Sequence, residues 1–248
     1  MQTSGDPAPG AGGARTADTR IDVPVTYNFR PVQGTRGLYR SDALARLRRG
    51  GREKLRDLGV ARVIDMRSGV DRLLGGSDRL RGVGAELVRI PIVTGGTRSQ
   101  LDRLSLHQIY RQLLDERQAE LARVLRAVAG APEGAVVIHC TAGKDRSGIA
   151  AALVQLGIGV PVDTVVADYE VTERYLEGEW AERTLRRMRH LRVPVTPQLR
   201  EVLVGSPAQA VEDALDHLDS TYGGADAYLA AIGIDAPTVE HLRSRLLR

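Results

Sequence analysis

The 248-residue chain predicts an α/β fold: a central, mostly parallel sheet with helices on both faces, plus a helical C-terminal extension. Three observations lead there. From Ile21 onward, short apolar runs suited to strands alternate with helical stretches, the signature of a parallel sheet covered on both sides. Beyond Pro161 the pattern is helical to the end. The most chemically loaded string of the chain, His139 to Gly148, follows one of the apolar runs, and sheets of this class place ligands at the carboxy ends of their strands.

Residues 1–20, rich in Gly, Ala, Pro, Ser and Thr, read as a flexible leader and lack the continuous apolar stretch of a signal peptide. Strands are expected near Gly37–Arg40, Ala61–Asp65, Glu86–Ile90 and Ala135–His139. Helices are expected over Ala43–Leu58 (interrupted by Gly50-Gly51), Leu104–Ala129 and Arg146–Leu156. The extension, about 163–248, is punctuated by Pro194, Pro197, Pro207, Gly223-Gly224 and Pro237. Its first part carries Arg183, Arg186, Arg187, Arg189, His190 and Arg192, which read most simply as a solvated helix face.

Composition narrows the function. A mass of 26.9 kDa and 42% hydrophobic residues are enough for one domain, or one and a half, with a real core. A net charge of +4 and a pI near 9.5 suit anionic substrates. At 4% aromatic residues, a stacking platform for single-stranded nucleic acid is not expected. One cysteine rules out an internal disulfide framework and fits a reducing compartment, so a cytoplasmic location is expected. No run reaches the roughly 18–20 apolar residues of a membrane span, so no stable membrane insertion is expected.

That cysteine, Cys140, lies in His139-Cys140-Thr141-Ala142-Gly143-Lys144-Asp145-Arg146-Ser147-Gly148. A strand-to-helix turn leaves backbone N–H groups without helical partners and adds the positive end of the helix dipole. Amides from Thr141 through Arg146 therefore suit a phosphate dianion, with Gly143 allowing the tight curl. Arg146 supplies a fork of donors for two phosphate oxygens. The same field favours a Cys140 thiolate and makes a phosphocysteine intermediate feasible. Ser147 is placed to donate to the sulfur and ease its departure, and His139 to orient the loop without moving a proton. An isolated buried cysteine is ordinarily inert packing; it is the Cys, Gly, Arg, Ser set that points to chemistry. A nucleotide-binding P-loop fails on spacing, since Ile138 stands where a glycine and Asp145 where Ser or Thr would be needed. Lys144 is one of only two lysines, with Lys54, in an arginine-biased chain, which marks a need for a compact ammonium in the loop. No His/Asp/Glu group at metal-ligand spacing is visible, so no metal or other cofactor is expected.

The string resembles the signature of the bacterial tyrosine and phosphoinositide phosphatases of the mycobacterial tyrosine phosphatase B type, within the cysteine phosphatase superfamily. Asn28-Phe29-Arg30, Leu38-Tyr39-Arg40-Ser41, Asp65-Met66-Arg67-Ser68 with Asp71, Val166-Ala167-Asp168-Tyr169, and Tyr222-Gly223 with Tyr228-Leu229 are similar to further segments of that family in the same order. The resemblance implies one phosphatase domain over 21–248, with 163–248 supplying a helical lid whose arginines face a multiply charged substrate. It implies a phosphorylated protein or small molecule as partner and inorganic phosphate as product. It also brings a departure. Family members carry a general-acid aspartate after the strand that here reads Glu86 to Ile92, but the corresponding stretch is Val93-Thr94-Gly95-Gly96. Asp145 is then the first candidate for the acid and Asp102 the second, while Asp65 reads as a structural partner of arginines. The expected function is a metal-independent phosphomonoesterase acting on phosphotyrosine, a phosphoinositide or a small-metabolite phosphate such as a nucleotide or sugar phosphate. The alternative from another class is a catalytically impaired phosphate-binding protein.

Overall fold

The structure is a computed structural model and describes residues 18–93 and 105–247. Its strands are β1 (Arg30–Pro31), β2 (Leu38–Ser41), β3 (Val60–Asp65), β4 (Glu86–Arg89) and β5 (Ala135–His139), hydrogen-bonded in the order β1-β2-β5-β3-β4. Only β1 runs antiparallel to its neighbour. The central strand β5 is buried at every residue. Val136 and Ile138 enter the core on one face and Ala135 and Val137 the core on the other, which is why this strand reads as an unbroken apolar run.

One face is covered by the N-terminal segment, a single 3-10 turn (Leu44–Arg46) and α1 (Arg49–Asp57), through Val23, Phe29, Leu44, Leu47 and Leu55. The expected helix over Ala43–Leu58 is thus divided, but not at Gly50-Gly51, which lie inside the first turns of α1. A Cβ on Gly51 would stand 2.7 Å from Leu47 Cδ2 and 3.2 Å from the Pro24 carbonyl, so this glycine serves close packing. A short helix, α2 (Gly69–Gly75), follows β3 and has no counterpart among the expected elements.

The other face is covered by α3 (Leu106–Glu116), α4 (Gln118–Ala129) and α5 (Asp145–Gly157). The single helix expected over Leu104–Ala129 breaks at Arg117, with φ −120° and ψ 27°, so that each half can lay its own apolar face on the core. In α5 all residues but Asp145 and Leu156 are buried, consistent with a helix apolar all round. The extension contributes α6 (Val162–Leu176), α7 (Glu179–His190), α8 (Pro197–Val204), α9 (Ala208–Tyr222), α10 (Ala225–Ala231) and α11 (Ala236–Leu246). Of these, α9 to α11 complete the core around α5, through Val211, Leu218, Leu229 and Leu242. Pro197 and Pro237 sit in the first turns of α8 and α11, where a missing N–H costs nothing. Among the described residues no helix is long and apolar enough to cross a membrane.

Candidate active site

The loop Cys140–Lys144 joins the end of β5 to the start of α5. Its shape is imposed from behind. Asn28 Nδ2 donates to the carbonyls of Ala142 and Gly143, both at 3.0 Å. Arg40 donates to those of Gly143 at 2.9 Å and Lys144 at 3.0 Å. The Thr141 carbonyl accepts from the Ala43 amide at 3.2 Å. In a trans peptide the N–H points opposite to the C=O, so the amides of Ala142, Gly143, Lys144 and Asp145 all turn to the far side and form an anion-binding bowl. Gly143 is the hinge of this arrangement. Its φ is +72°, and a Cβ there would lie 2.5 Å from the Ser41 carbonyl carbon and 2.7 Å from the Asp42 nitrogen.

The backing groups are themselves fixed. Arg40 pairs with Asp168 Oδ2 at 2.7 Å, both fully buried. Arg30 donates to the Asn28 side-chain oxygen, to the Asp168 carbonyl at 2.8 Å and to Thr172 Oγ1 at 2.8 Å. Asp42 accepts from the amides of Tyr27 (2.9 Å) and Asn28 (3.0 Å). Burial pushes the Asp42 carboxyl up to about 6 against the opposing pull of those amides. Asn28, Arg30, Arg40 and Asp168 lie in segments that the family resemblance singles out, without a role for any of them.

Within the bowl, Cys140 Sγ lies 3.6 Å from Ser147 Oγ. Burial alone would raise the thiol pKa, but the Arg146 guanidinium and the Ser147 hydroxyl bring it below its ordinary value. Arg146 is braced at four points: Asp71 Oδ2 at 2.7 Å, the Ile92 carbonyl at 3.3 Å, the Met66 carbonyl at 3.4 Å and Thr141 Oγ1 at 3.2 Å. Met66 and Ile92 follow β3 and β4, so the ends of two strands hold the arginine beside the third. Asp71 is held in turn by the Ser68 amide and hydroxyl, both at 2.9 Å, in the capping box of α2. Burial would raise the Asp71 pKa, yet Arg146 and Ser68 keep it low.

The remaining loop residues divide between two environments. Lys144 is fully buried, its ammonium 2.7 Å from Asp145 Oδ1 but without hydrogen-bond geometry, so the contact is an ion pair only. Tyr110 donates to the same oxygen at 2.9 Å, and its hydroxyl also meets that of Tyr169. The Asp145 side chain is 25% exposed, and its Oδ2 takes no hydrogen bond from the described residues. His139 faces away from the bowl: its Nε2 lies 2.9 Å from Asp78 Oδ2, and only Nδ1 reaches the loop, 3.3 Å from the Cys140 carbonyl. Burial would lower the His139 pKa, but Asp78 and Asp65 outweigh it and raise it.

Asp65, Asp78 and His139 form a cluster of metal-ligand type that no spacing in the sequence shows. Arg67 already supplies the positive charge there, with its guanidinium 2.9 Å from Asp65 Oδ1 and 2.7 Å from Asp78 Oδ1; Asp65 is thus a partner of arginine. Asp102 and the stretch Thr94-Gly95-Gly96 lie outside the described residues.

Ala142 is covered by a small apolar cluster of Leu176, Trp180, Ala181 and Val204, which sets α7 against the loop. Of the basic stretch, only Arg183 reaches this rim, stacked over Tyr27 at 5.1 Å and donating to its hydroxyl at 3.2 Å. Arg186, Arg187, Arg189, His190 and Arg192 are exposed.

Comparison with known proteins shows what the chain is similar to. The model described as the tyrosine phosphatase family matches residues 21–248. The chain is 32% identical over 221 residues to a tyrosine-protein phosphatase of Nostoc commune, covering 84% of this chain and 73% of that one. It is 28% identical over 274 residues to the triple specificity protein phosphatase PtpB of Mycobacterium tuberculosis, covering 91% and 98%. Among solved structures, the Siw14 catalytic core matches with a TM-score of 0.38 at 15% identity, over 70% of this chain and 96% of that one.

Proposed function

The chain belongs to the tyrosine phosphatase family, and from that premise we propose how its own residues divide the work of a cysteine-dependent phosphatase. As a member it is a phosphoric monoester hydrolase, taking a phosphorylated substrate and releasing phosphate. One observation carries the assignment of roles. The thiol of Cys140, lowered in pKa by Arg146 and Ser147, sits at the root of a bowl whose amides all turn to one side.

In this reading the phosphate rests on the amides of Ala142 to Asp145 and on the Arg146 fork. The Cys140 thiolate attacks phosphorus, and a P–S bond forms as the P–O bond to the leaving group breaks. Charge developing on the equatorial oxygens is met by donors already in place, so little reorganisation is needed. Asp145 is our candidate for the proton given to the leaving oxygen, with Oδ1 held by Tyr110 and Lys144 and Oδ2 left for that transfer. In the second step water attacks phosphorus, Asp145 takes its proton, the P–S bond breaks, and the Ser147 hydroxyl stabilises the departing thiolate. His139 fixes the carbonyl end of Cys140 and takes no part in proton transfer. We read α7 as a cover on the rim, with Arg183 near the substrate.

The substrate class supported best is an aryl phosphate such as phosphotyrosine, whose phenolate leaves with least help from an acid. The relatives' names carry the same implication. A free nucleophilic thiol fits a reducing compartment. The test is Cys140→Ser, which should abolish turnover of nitrophenyl phosphate while vanadate still binds, because the amide bowl survives. Steady turnover in that variant would remove Cys140 from the mechanism.

A further inference from the structure

Helix α2 is oriented opposite to an ordinary surface helix. Its polar side faces the protein: Asp71 holds Arg146 at 2.7 Å, and Arg72 donates to the Arg67 carbonyl. Its apolar residues occupy positions i, i+3 and i+4, one face of a helix, and that face meets solvent. Val70 is 65% exposed, Leu73 83% and Leu74 60%. Single exposed apolar residues need no explanation, but three on one face form a patch that calls for a partner.

In the segment that carries the patch, the exposed charge has one sign. Between residues 66 and 85 both carboxylates turn inward, Asp71 to Arg146 and Asp78, with a side chain 0% exposed, to Arg67. Arg79 in the same segment is exposed, and its amide donates to the Leu44 carbonyl at 3.3 Å. At the end of α2, a Cβ on Gly76 would stand 3.4 Å from that of Ala45, which brings the exposed Arg46 alongside. The patch is a protruding helix and not a groove, so it offers no slot for a peptide. Protruding leucines with an arginine flank suit the boundary of an anionic bilayer, where hydrocarbon enters below the headgroups and guanidinium groups meet lipid phosphates.

We propose that α2, through Val70, Leu73 and Leu74 with Arg46 and Arg79 beside them, docks this enzyme reversibly on an anionic lipid surface. Because Asp71 on the inner side of the same helix grips Arg146, docking would bring the mouth of the phosphate bowl close to that surface. The contact is peripheral and needs no membrane-spanning element. It is also independent of turnover, so it can be measured on the full chain carrying Cys140→Ser, where failure of the catalytic reading and failure of docking are separable.

The experiment is co-sedimentation with vesicles of phosphatidylcholine, with and without phosphatidylserine. The protein should partition onto the mixed vesicles, more weakly onto the neutral ones, and less as salt rises. Leu73→Glu/Leu74→Glu should reduce partition at least about tenfold, since two apolar anchors are replaced by charges that the surface repels. With Cys140 intact, this double variant should hydrolyse nitrophenyl phosphate like the parent. Arg46→Glu/Arg79→Glu should weaken binding to the mixed vesicles only, and unchanged binding there would remove the arginines from the contact. Absence of partition, or partition undiminished by Leu73→Glu/Leu74→Glu, would overturn the proposal. So would sedimentation velocity showing a dimer that this variant dissolves, because a second copy would then cover the patch.

Discussion

Replacing Gly143 with alanine tests the shape of the bowl with a single methyl group. Two costs arise. A left-handed conformation disfavours any L side chain by about 1–2 kcal/mol, and here φ is +72°. The larger cost is contact: the new Cβ would meet the Ser41 carbonyl carbon at 2.5 Å, whereas ordinary contact begins near 3.4 Å. The obstacle is backbone at the end of β2, an interior strand paired on both sides, so the loop must give way by about 0.9 Å. A shift of that size lengthens the Asn28 and Arg40 bonds to the loop carbonyls, now 2.9–3.0 Å, and tilts the amides away from the phosphate. Misplacement by about 1 Å costs on the order of 10²-fold in rate, so Gly143→Ala should lower kcat/KM for nitrophenyl phosphate by about that factor. Vanadate affinity should fall in parallel. Gly59→Ala provides the control. Its φ is +63°, but nothing lies within 4 Å of the added Cβ, so it should cost about 1 kcal/mol of stability and leave kinetics alone. If Gly143→Ala keeps kcat/KM and vanadate affinity within threefold of the parent, the bowl does not depend on the geometry described.

Ser147→Ala removes a donor that lowers the Cys140 pKa. The reactive form is the thiolate, so kcat/KM rises with pH through the thiol pKa, which lies below its ordinary value; in the variant this acid limb should move to higher pH, and an unmoved limb would refute the contact. Asp145→Asn should slow an alkyl phosphate by about 10²–10⁴-fold and a nitrophenyl phosphate far less, with vanadate binding kept. Equal losses on both substrates together with lost vanadate affinity would make Asp145 structural. Asp71→Asn weakens the charged grip on Arg146 while still able to accept from Ser68, so kcat/KM should drop about tenfold or more with little change in Tm; an unchanged kcat/KM would show that the carbonyl braces suffice.

The phosphate loop was legible in the sequence because its thiol, glycine, arginine and hydroxyl are contiguous and flanked by an apolar strand and an apolar helix. Periodicity and punctuation located β2, β3, β4, β5 and α5. They could not pair Asn28, Arg40 and Asp168 with the loop, since only the folded chain brings those residues behind it. Nor could they show that Asp71 grips Arg146, or that Asp78, distant in sequence, holds His139. The break at Arg117 carries neither glycine nor proline, and it follows from two helices needing different directions on one core. α2 escaped notice because it is short and its apolar residues face outward, against the rule that reads an apolar face as core. Gly50-Gly51 shows the converse: a glycine pair suggests an interruption, yet it lies inside α1, where Gly51 permits close packing.

The loop's support comes from far along the chain. Asn28 reaches a carbonyl 114 residues away, Arg40 an acid 128 residues away, and Asp71 an arginine 75 residues away. Contacts of such span form late, after the cost of closing long loops has been met. During synthesis, the loop from Cys140 to Lys144 is made before Asp168 of α6. Until then Arg40 lacks the acid that fixes it, and the carbonyls of Gly143 and Lys144 lack a fixed guanidinium behind them. The backing of the bowl is therefore complete only with α6, although the arginine and the serine that lower the Cys140 pKa lie in the same short stretch as the thiol.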